Sequence, residues 1–163
     1  MESLLDWERN GGRWERPLYA ILCGEAAFMQ GQRHMAKLRA LAAQLKSVKV
    51  LFPGHVTGDR KRAFFGLADV YVFPSRHESY GLTLMEALAA GKASVALETH
   101  GARSVMQAEF GTMVAEPRQL APAIFGLLAD DVQRQRMGDA ARAYAEADPF
   151  SARAAQLASI LTR

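Results

Sequence analysis

The sequence lacks the residue clusters and apolar runs that mark several classes of protein. It has one cysteine, Cys23, among 163 residues, so an internal disulfide is excluded and a reducing compartment is expected. The four histidines are scattered and form no Cys/His cluster with the spacing of a metal site. No apolar run is long enough to span a bilayer. These absences favour a cytoplasmic protein that uses no metal ion and no other cofactor.

Basic residues are neither numerous nor gathered in one block. The formal net charge is +3 and the Lys and Arg residues are spread along the chain, so nucleic-acid binding is not indicated. A weak affinity for anionic lipid or for a diphosphate is compatible with this charge. Met1 is followed by Glu2 and Asp6 rather than by a basic and then an apolar stretch, so no signal peptide is expected. The length suits one domain, spanning 1–163, with a proper core.

Strand-like and helix-like segments alternate along the chain, which predicts an α/β fold with a parallel sheet. The predicted strands are 17–23, 48–52, 69–73, 92–97 and 112–115, and the predicted helices are 2–9, 32–45, 58–67, 82–90, 117–128, 131–145 and 149–161. Pro74 ends the third strand because proline cannot donate to a ladder. We expect this third strand to be central in the sheet, and we expect Cys23 to be a buried, inert thiol.

The loop at 75–81 is the predicted functional site. In open α/β sheets, ligands bind beyond the C-terminal ends of the strands, and this loop lies there and leads into a helix. We expect the backbone N–H groups of Tyr80, Gly81, Leu82 and Thr83 to point outward at a bound anion, for which phosphate is the usual candidate. Gly81 removes a side chain where the ligand must approach the backbone.

Two carboxylates bracket this turn. Glu78 lies in the loop and Glu86 in the second turn of the helix, with seven residues between them. A carboxylate can accept hydrogen bonds from two sugar hydroxyls at once, so one on each side of a phosphate site suits a nucleotide-sugar. A second interpretation stays open, because Ser75-x-x-Glu78 and Thr83-x-x-Glu86 both match a capping box, and either glutamate can serve only as a helix cap.

The segment 74–96 closely resembles the E-x7-E segment of retaining glycosyltransferases of the group 1, or family 4, type, which have the GT-B fold. This family includes sucrose synthases, phosphatidylinositol mannosyltransferases and lipopolysaccharide glucosyltransferases. The matching residues are Pro74, Ser75, Glu78, Gly81, Glu86, Ala87, Ala89 and Gly91, with Tyr80 in an aromatic position. The resemblance implies a Rossmann-like, doubly wound parallel sheet that forms the C-terminal, donor-binding half of a GT-B enzyme.

The resemblance also implies an activity and roles for residues. The implied enzyme transfers a sugar from a nucleotide-diphosphate sugar to an acceptor with retention of configuration. Glu78 would contact the donor sugar at the catalytic centre, and Glu86 would hold the ribose hydroxyls. The implied diphosphate contacts are the backbone amides of Ser79, Tyr80, Gly81, Leu82 and Thr83. His55, in the loop after the strand 48–52, would lie beside the base, although a plain loop histidine is an equally good interpretation.

The sequence departs from this family in two respects. The resembled enzymes are about twice as long, and neither their acceptor-binding N-terminal domain nor the first strand of their donor domain, which carries a Gly-Arg…Lys-Gly diphosphate clamp, is found in 1–163. We therefore expect the chain alone to be inactive, and the full enzyme to be cytoplasmic with possible peripheral association with the inner face of the membrane. Two alternatives stay open, a non-catalytic nucleotide-sugar binding module or subunit and a nucleotide-sugar epimerase-like α/β enzyme, because fold does not decide function.

Overall fold

Residues 1–25 and 29–147 are described by the structure, which is a computed structural model. The strands are β1 (Leu18–Cys23), β2 (Val48–Gly54), β3 (Tyr71–Phe73), β4 (Ser94–Leu97) and β5 (Gly111–Val114). The helices are α1 (Glu2–Arg9), α2 (Met29–Ala42), α3 (Gly58–Leu67), α4 (Leu82–Ala89), α5 (His100–Arg103), α6 (Leu120–Ala129) and α7 (Asp131–Ala147). The predicted helix at 149–161 lies outside the described residues.

The predicted alternation of strands and helices is confirmed, with most bounds within three residues. Helices α1 and α3 have the predicted bounds. The predicted helix at 117–128 begins instead as a 3-10 turn at Pro117–Gln119, where Glu116 and Gln119 form a reciprocal capping box, and continues as α6. Within the described ranges, no helix combines the length and the apolar character that crossing a membrane requires.

All the strand pairs are parallel, as predicted, but they form two sheets rather than one. Strand β1 pairs with β2, and β4 pairs with β3 on one side and β5 on the other. The prediction that the strand 69–73 is central is therefore wrong, because β3 is an edge strand of its sheet and β4 is the middle one. The physical reason is burial: every residue of β4 is buried, whereas β3 has only three residues and two of them are half-buried.

The core lies on both faces of the three-stranded sheet. On one face Ala96 packs with α4, α5 and α7 through Leu84, Leu88, Ala102 and Ala141. On the other face Val95 and Leu97 pack against residues of α6 and α7. Burial on both faces is what a parallel sheet with helices in its crossovers requires, and it explains why β4 is apolar without alternation. This packing fixes the position of the loop that follows β3.

The β1–β2 sheet has one face in solvent. Along β1, half-buried residues alternate with exposed ones, and the exposed set includes Tyr19 (52%), Ile21 (36%) and Cys23. Leu51, opposite Ile21 on β2, is 46% exposed. The prediction of a buried Cys23 thiol is therefore wrong, because strand alternation places it on the uncovered face.

A carboxylate on α1 fastens this helix to the turn before β2. The Ser47 hydroxyl donates a hydrogen bond to Glu8, and the backbone N–H groups of Ser47 (2.9 Å) and Lys46 (3.1 Å) donate to the same carboxylate. Burial by itself would raise the pKa of Glu8, but these hydrogen bonds and the Lys46 charge outweigh it and lower the pKa. The ionised form is therefore the one that stabilises the fold.

We expect Glu8→Ala to destabilise the chain by about 1–2 kcal/mol, because three donors lose a charged acceptor. A carboxyl with a lowered pKa stabilises the folded state above its ordinary pKa and loses that contribution as pH falls through the folded-state value. The difference in melting temperature between the two proteins should thus be full at pH 7 and shrink below pH 4.5. Glu15→Ala, at an exposed position, is the control; a pH-independent difference would contradict the hydrogen-bond account.

Candidate functional site

The loop after β3 leads into an open helix terminus. Gly81 is the N-cap of α4 and has left-handed backbone angles (φ 80, ψ 48), which a residue without Cβ adopts without strain. No side chain within the described ranges caps the helix. The backbone N–H groups of Gly81, Leu82 and Thr83 find no acceptor among the described residues. Leu82 and Thr83 are exposed at the positive end of the helix dipole, as an anion site requires, whereas Gly81 is buried.

The Glu78 carboxylate accepts hydrogen bonds from two further backbone amides of the loop. Ser79 N–H and Tyr80 N–H donate to Glu78 Oε1 at 3.0 and 3.4 Å. In this structure the amides of Ser79 and Tyr80, which were predicted to meet a diphosphate, donate to a side chain of their own loop, and their role towards a ligand stays a prediction. The interaction also orients the carboxylate, so that its second oxygen is the one left for other partners.

Gly101, at the start of α5, supports the loop from behind. Its N–H donates to the main-chain oxygen of Glu78 at 2.9 Å. A Cβ at position 101 would lie 2.9 Å from Glu78 Cγ, from Glu78 O and from Tyr80 N. Thr99 holds the beginning of α5 by accepting a hydrogen bond from Ala102 N–H. This role of Gly101 could not be predicted from the sequence, because no local pattern links it to a loop more than twenty residues earlier.

Glu86 lies on α4 and pairs with a lysine of α3. The distance from Lys61 Nζ to Glu86 Oε1 is 2.5 Å, and the two side chains are 35% and 43% exposed. The capping alternative is wrong for Glu86, because α4 begins at Leu82 and Thr83 lies inside the helix. No described helix begins at Ser75 either, so Glu78 caps nothing. Lys61, which the sequence placed on a solvated helix start, is the residue that donates to this carboxylate in the described part of the chain.

Tyr71, the first residue of β3, lies against α3 and the start of α4. Its ring packs against Phe65 of α3, with 5.7 Å between ring centroids, and its phenol makes a hydrogen bond with Thr83 at the start of α4. Burial raises the pKa of Tyr71, the bond with Thr83 lowers it, and the charges of Glu86 and Glu78 raise it further. The phenol therefore stays protonated at neutral pH and lies within electrostatic reach of both carboxylates. No local sequence pattern predicts this placement of Tyr71.

Of the remaining predicted site residues, Tyr80 and Leu82 lie at the start of α4, whereas His55 lies on another sheet. The Leu82 side chain is 62% exposed and Tyr80 is 36% exposed, beside the open amides. His55 follows β2 on the separate two-stranded sheet and is exposed, with no described contact to the loop or to α4. Its role beside a base stays a prediction. In the described part of the chain, no group of three or more His, Cys, Asp or Glu residues is arranged to hold a metal ion.

This arrangement can hold an anion between two hydroxyl acceptors. Along the chain, the three amides without an acceptor among the described residues stand between Glu78, in the loop, and Glu86, one turn into the helix. Lys61 adds a positive charge next to Glu86. The chemistry of the donor set therefore matches a ligand in which a phosphate joins two polyhydroxylated groups.

Comparison with solved structures gives the same fold. The sucrose-phosphate synthase of Thermosynechococcus elongatus superposes with a TM-score of 0.79 and 24% identity, over 99% of this chain and 41% of that one. The HepE protein of Anabaena, solved in complex with UDP-glucose, superposes with a TM-score of 0.82 and 22% identity, over 99% of this chain and 44% of that one. Both superpositions take in 99% of this chain, so the predicted fold class is confirmed.

Comparison of the sequence with known proteins identifies the family of this chain. The D-inositol 3-phosphate glycosyltransferase of Corynebacterium glutamicum is 33% identical over 153 residues, which cover 90% of this chain and 35% of that protein. The chain therefore spans about a third of the length of the relatives it matches. Residues 14–144 match the family described as "Glycosyl transferases group 1". Since this match takes in most of the chain and includes the whole loop and α4, the protein belongs to the group 1 glycosyltransferases.

Proposed function

We propose that this chain is the nucleotide-sugar binding domain of a glycosyltransferase. The observation that carries the proposal is the open N-terminus of α4, where the amides of Gly81, Leu82 and Thr83 lack acceptors within the described residues and stand between Glu78 and Glu86. A nucleoside diphosphate sugar has a ribose, a diphosphate and a second sugar in the same order. Family membership supports the same reading.

Each part of the donor then has a matching group. The diphosphate receives hydrogen bonds from the unpaired amides and favourable interaction with the helix dipole. The ribose hydroxyls donate to Glu86, which must first exchange its contact with Lys61. An exposed ion pair of this kind is worth about 0–1 kcal/mol, so the exchange costs little. The released Lys61 ammonium is then near the diphosphate, and Glu78 faces the transferred sugar.

We propose that the full enzyme transfers this sugar with retention of configuration. In that reaction the bond between the anomeric carbon and the diphosphate breaks, and the amides of α4 stabilise the negative charge that develops on the leaving group. Glu78 stabilises the sugar as positive charge grows at its anomeric centre. We propose that these groups, rather than a metal ion, meet the diphosphate charge; nucleotide affinity unchanged by EDTA would support this point.

The proposal extends to the identity of the donor nucleotide and to the domain that binds the acceptor. The solved HepE protein binds UDP-glucose, which makes uridine nucleotides the first ones to test here. Because the chain spans about a third of its relatives, we propose that an acceptor-binding domain completes the enzyme and that this chain alone transfers no sugar. A cytoplasmic location, with peripheral contact to anionic lipid through the net charge of +3, is compatible with this arrangement.

A titration followed by NMR tests the proposal. The ¹⁵N-labelled chain is titrated with UDP, GDP, ADP and UDP-glucose, with inorganic phosphate as the control. We expect a dissociation constant of about 1 mM for at least one nucleotide, with the largest amide shifts at residues 81–83. The absence of shifts for every nucleoside diphosphate at about 10 mM, or equal shifts with phosphate alone, would reject a donor site.

We expect Glu78→Gln to separate the sugar from the nucleotide. The amide oxygen can still accept from Ser79 and Tyr80, so the loop should keep its shape and UDP affinity should stay within about twofold. The charged acceptor for the sugar is lost, so any preference for UDP-glucose over UDP should fall by about tenfold or disappear. Equal weakening of both ligands would show instead that Glu78 acts only by shaping the loop.

A further inference from the structure

The β4–α5 turn, residues 98–101, lies along the loop that carries Glu78. Strand β4 ends at Leu97 in the middle of its sheet, so the turn is at the C-terminal edge of the strands. Gly101 N–H donates to the main-chain oxygen of Glu78 at 2.9 Å. The carbonyl oxygen of Gly101 lies 3.6 Å from the position that a Cβ on Gly81 would occupy. The turn therefore reaches both ends of the stretch 78–81 and forms one wall of the candidate site.

The partners of the two glutamates give a bound donor a direction across the sheet. Glu86 contacts Lys61 of α3, the helix that precedes β3. Glu78 contacts Gly101 of α5, the helix that follows β4. Because β3 is the edge strand and β4 is the next one, the direction from Glu86 to Glu78 runs from β3 toward β4. A nucleotide-sugar with its ribose at Glu86 therefore has its other sugar beside the β4–α5 turn.

The polar side chains of this turn differ in what they contact. Arg103 Nε donates to the Glu98 carboxylate at 3.0 Å, and the Thr99 hydroxyl accepts a hydrogen bond from a backbone N–H of α5. The His100 side chain is exposed and makes no hydrogen bond or ion pair with any described residue. A neutral imidazole has one nitrogen that donates and one that accepts, so His100 brings both capacities to the wall beside Glu78.

A sugar at this wall requires a hydrogen-bond donor that Glu78 does not supply. An ionised carboxylate only accepts, so it satisfies the proton of a sugar hydroxyl but not the oxygen of one. The nearest backbone donors, Ser79 N–H and Tyr80 N–H, point at Glu78 itself. The open amides at the start of α4 are the ones assigned to the diphosphate. On the side of the loop that faces α5, His100 is therefore the side chain suited to donate to a hydroxyl oxygen.

We propose that the His100 imidazole contacts the transferred sugar and donates to one of its hydroxyl oxygens, while Glu78 accepts from a hydroxyl of the same ring. His100 thereby helps the chain to distinguish a nucleotide-sugar from the bare nucleotide. The ligand class is a neutral sugar, because the charge of Glu78 would repel a sugar carboxylate at this place. The inference rests on the proposed donor site and adds to it a residue from the turn after β4.

Titration of the His100→Ala chain with UDP and with UDP-glucose tests the proposal. Because His100 is exposed, the melting temperature should stay within about 2 °C of the wild-type value. Affinity for UDP should stay within about twofold, whereas the preference for UDP-glucose over UDP should fall by about three- to tenfold, as the loss of one hydrogen bond predicts. Gln107→Ala is the matched control, because Gln107 is an exposed polar residue of the same crossover that lies close to the start of β5, at the opposite edge of the sheet. It should leave both affinities unchanged.

The imidazole also reports the contact directly. In ¹H–¹³C NMR spectra of the wild-type chain at constant pH, the ring signal of His100 is assigned by its loss from the His100→Ala spectrum. We expect this signal to move on addition of UDP-glucose and to stay nearly in place on addition of UDP. A residue that only stabilised the turn would show the same small change with both ligands.

The outcomes separate this inference from the proposed donor site. A His100→Ala chain that keeps the wild-type preference for UDP-glucose, with a His100 ring signal that does not move, overturns the role of His100 and leaves the donor site standing. Equal affinity of the wild-type chain for UDP and UDP-glucose overturns it in the same way. A wild-type chain that binds no nucleotide rejects both the donor site and the sugar contact.

Discussion

Glu86→Gln should weaken the binding of UDP, GDP and ADP alike, by about tenfold, which corresponds to about 1.4 kcal/mol. All three nucleotides have the same ribose, and an ionised acceptor forms stronger hydrogen bonds with hydroxyl groups than an amide does. The loss should therefore not depend on the base. NMR titration of each nucleotide against the wild-type chain and the variant measures it directly.

Lys61→Gln is the matched control for this prediction. Both substitutions break the contact between Lys61 Nζ and Glu86 Oε1, so both should change the melting temperature by a similar, small amount. Only Glu86→Gln removes the acceptor for the ribose. For uridine, which has no phosphate, Lys61→Gln should leave affinity unchanged or raise it by up to about fivefold, because the competing ammonium is gone. Equal losses of uridine affinity in the two variants would contradict the assignment of Glu86 to the ribose.

Gly101→Ala should displace the loop at 75–81, and should lower both the melting temperature and the affinity for UDP-glucose. The added Cβ would approach Glu78 Cγ, Glu78 O and Tyr80 N to 2.9 Å, and two of these are backbone atoms that cannot rotate away. Overpacking of this kind costs about 1–3 kcal/mol, so the melting temperature should fall by about 3–9 °C. Because Glu78 and the amides behind it must shift, affinity for UDP-glucose should fall by about tenfold or more.

Gly126→Ala is the control for this second prediction. It makes the same chemical change on α6, where an added Cβ has no atom within 4 Å. Alanine is the better helix former, so the control should be neutral or slightly stabilising. Nucleotide titration and thermal unfolding of the two variants distinguish a local clash from a general effect of losing glycine. A Gly101→Ala protein with wild-type stability and wild-type UDP-glucose affinity would show that α5 does not position the loop.

Local sequence patterns predicted the strand–loop–helix–strand unit that carries the site. An apolar run ended by Pro74, a helix ended by Gly91 in a left-handed conformation, and a second apolar run give β3, α4 and β4 to within two residues. These signals depend on near neighbours, which is why they can be read from the chain. The same signals placed Glu78 before the helix and Glu86 in its second turn, on either side of Gly81.

Contacts between distant segments decided the rest. Lys61 meets Glu86 across 25 positions, Gly101 supports the Glu78 loop, and the Tyr71 phenol reaches Thr83. No periodicity encodes such pairs, because each depends on how crossovers stack helices on a sheet. The order of strands also depends on distant contacts. Apolar character showed that β3 belongs in a sheet, but the tertiary structure decided that β3 pairs with β4 alone and is therefore an edge strand. Burial of Cys23 was mispredicted for the same reason, since a strand's sequence shows which residues share a face and not which face is covered.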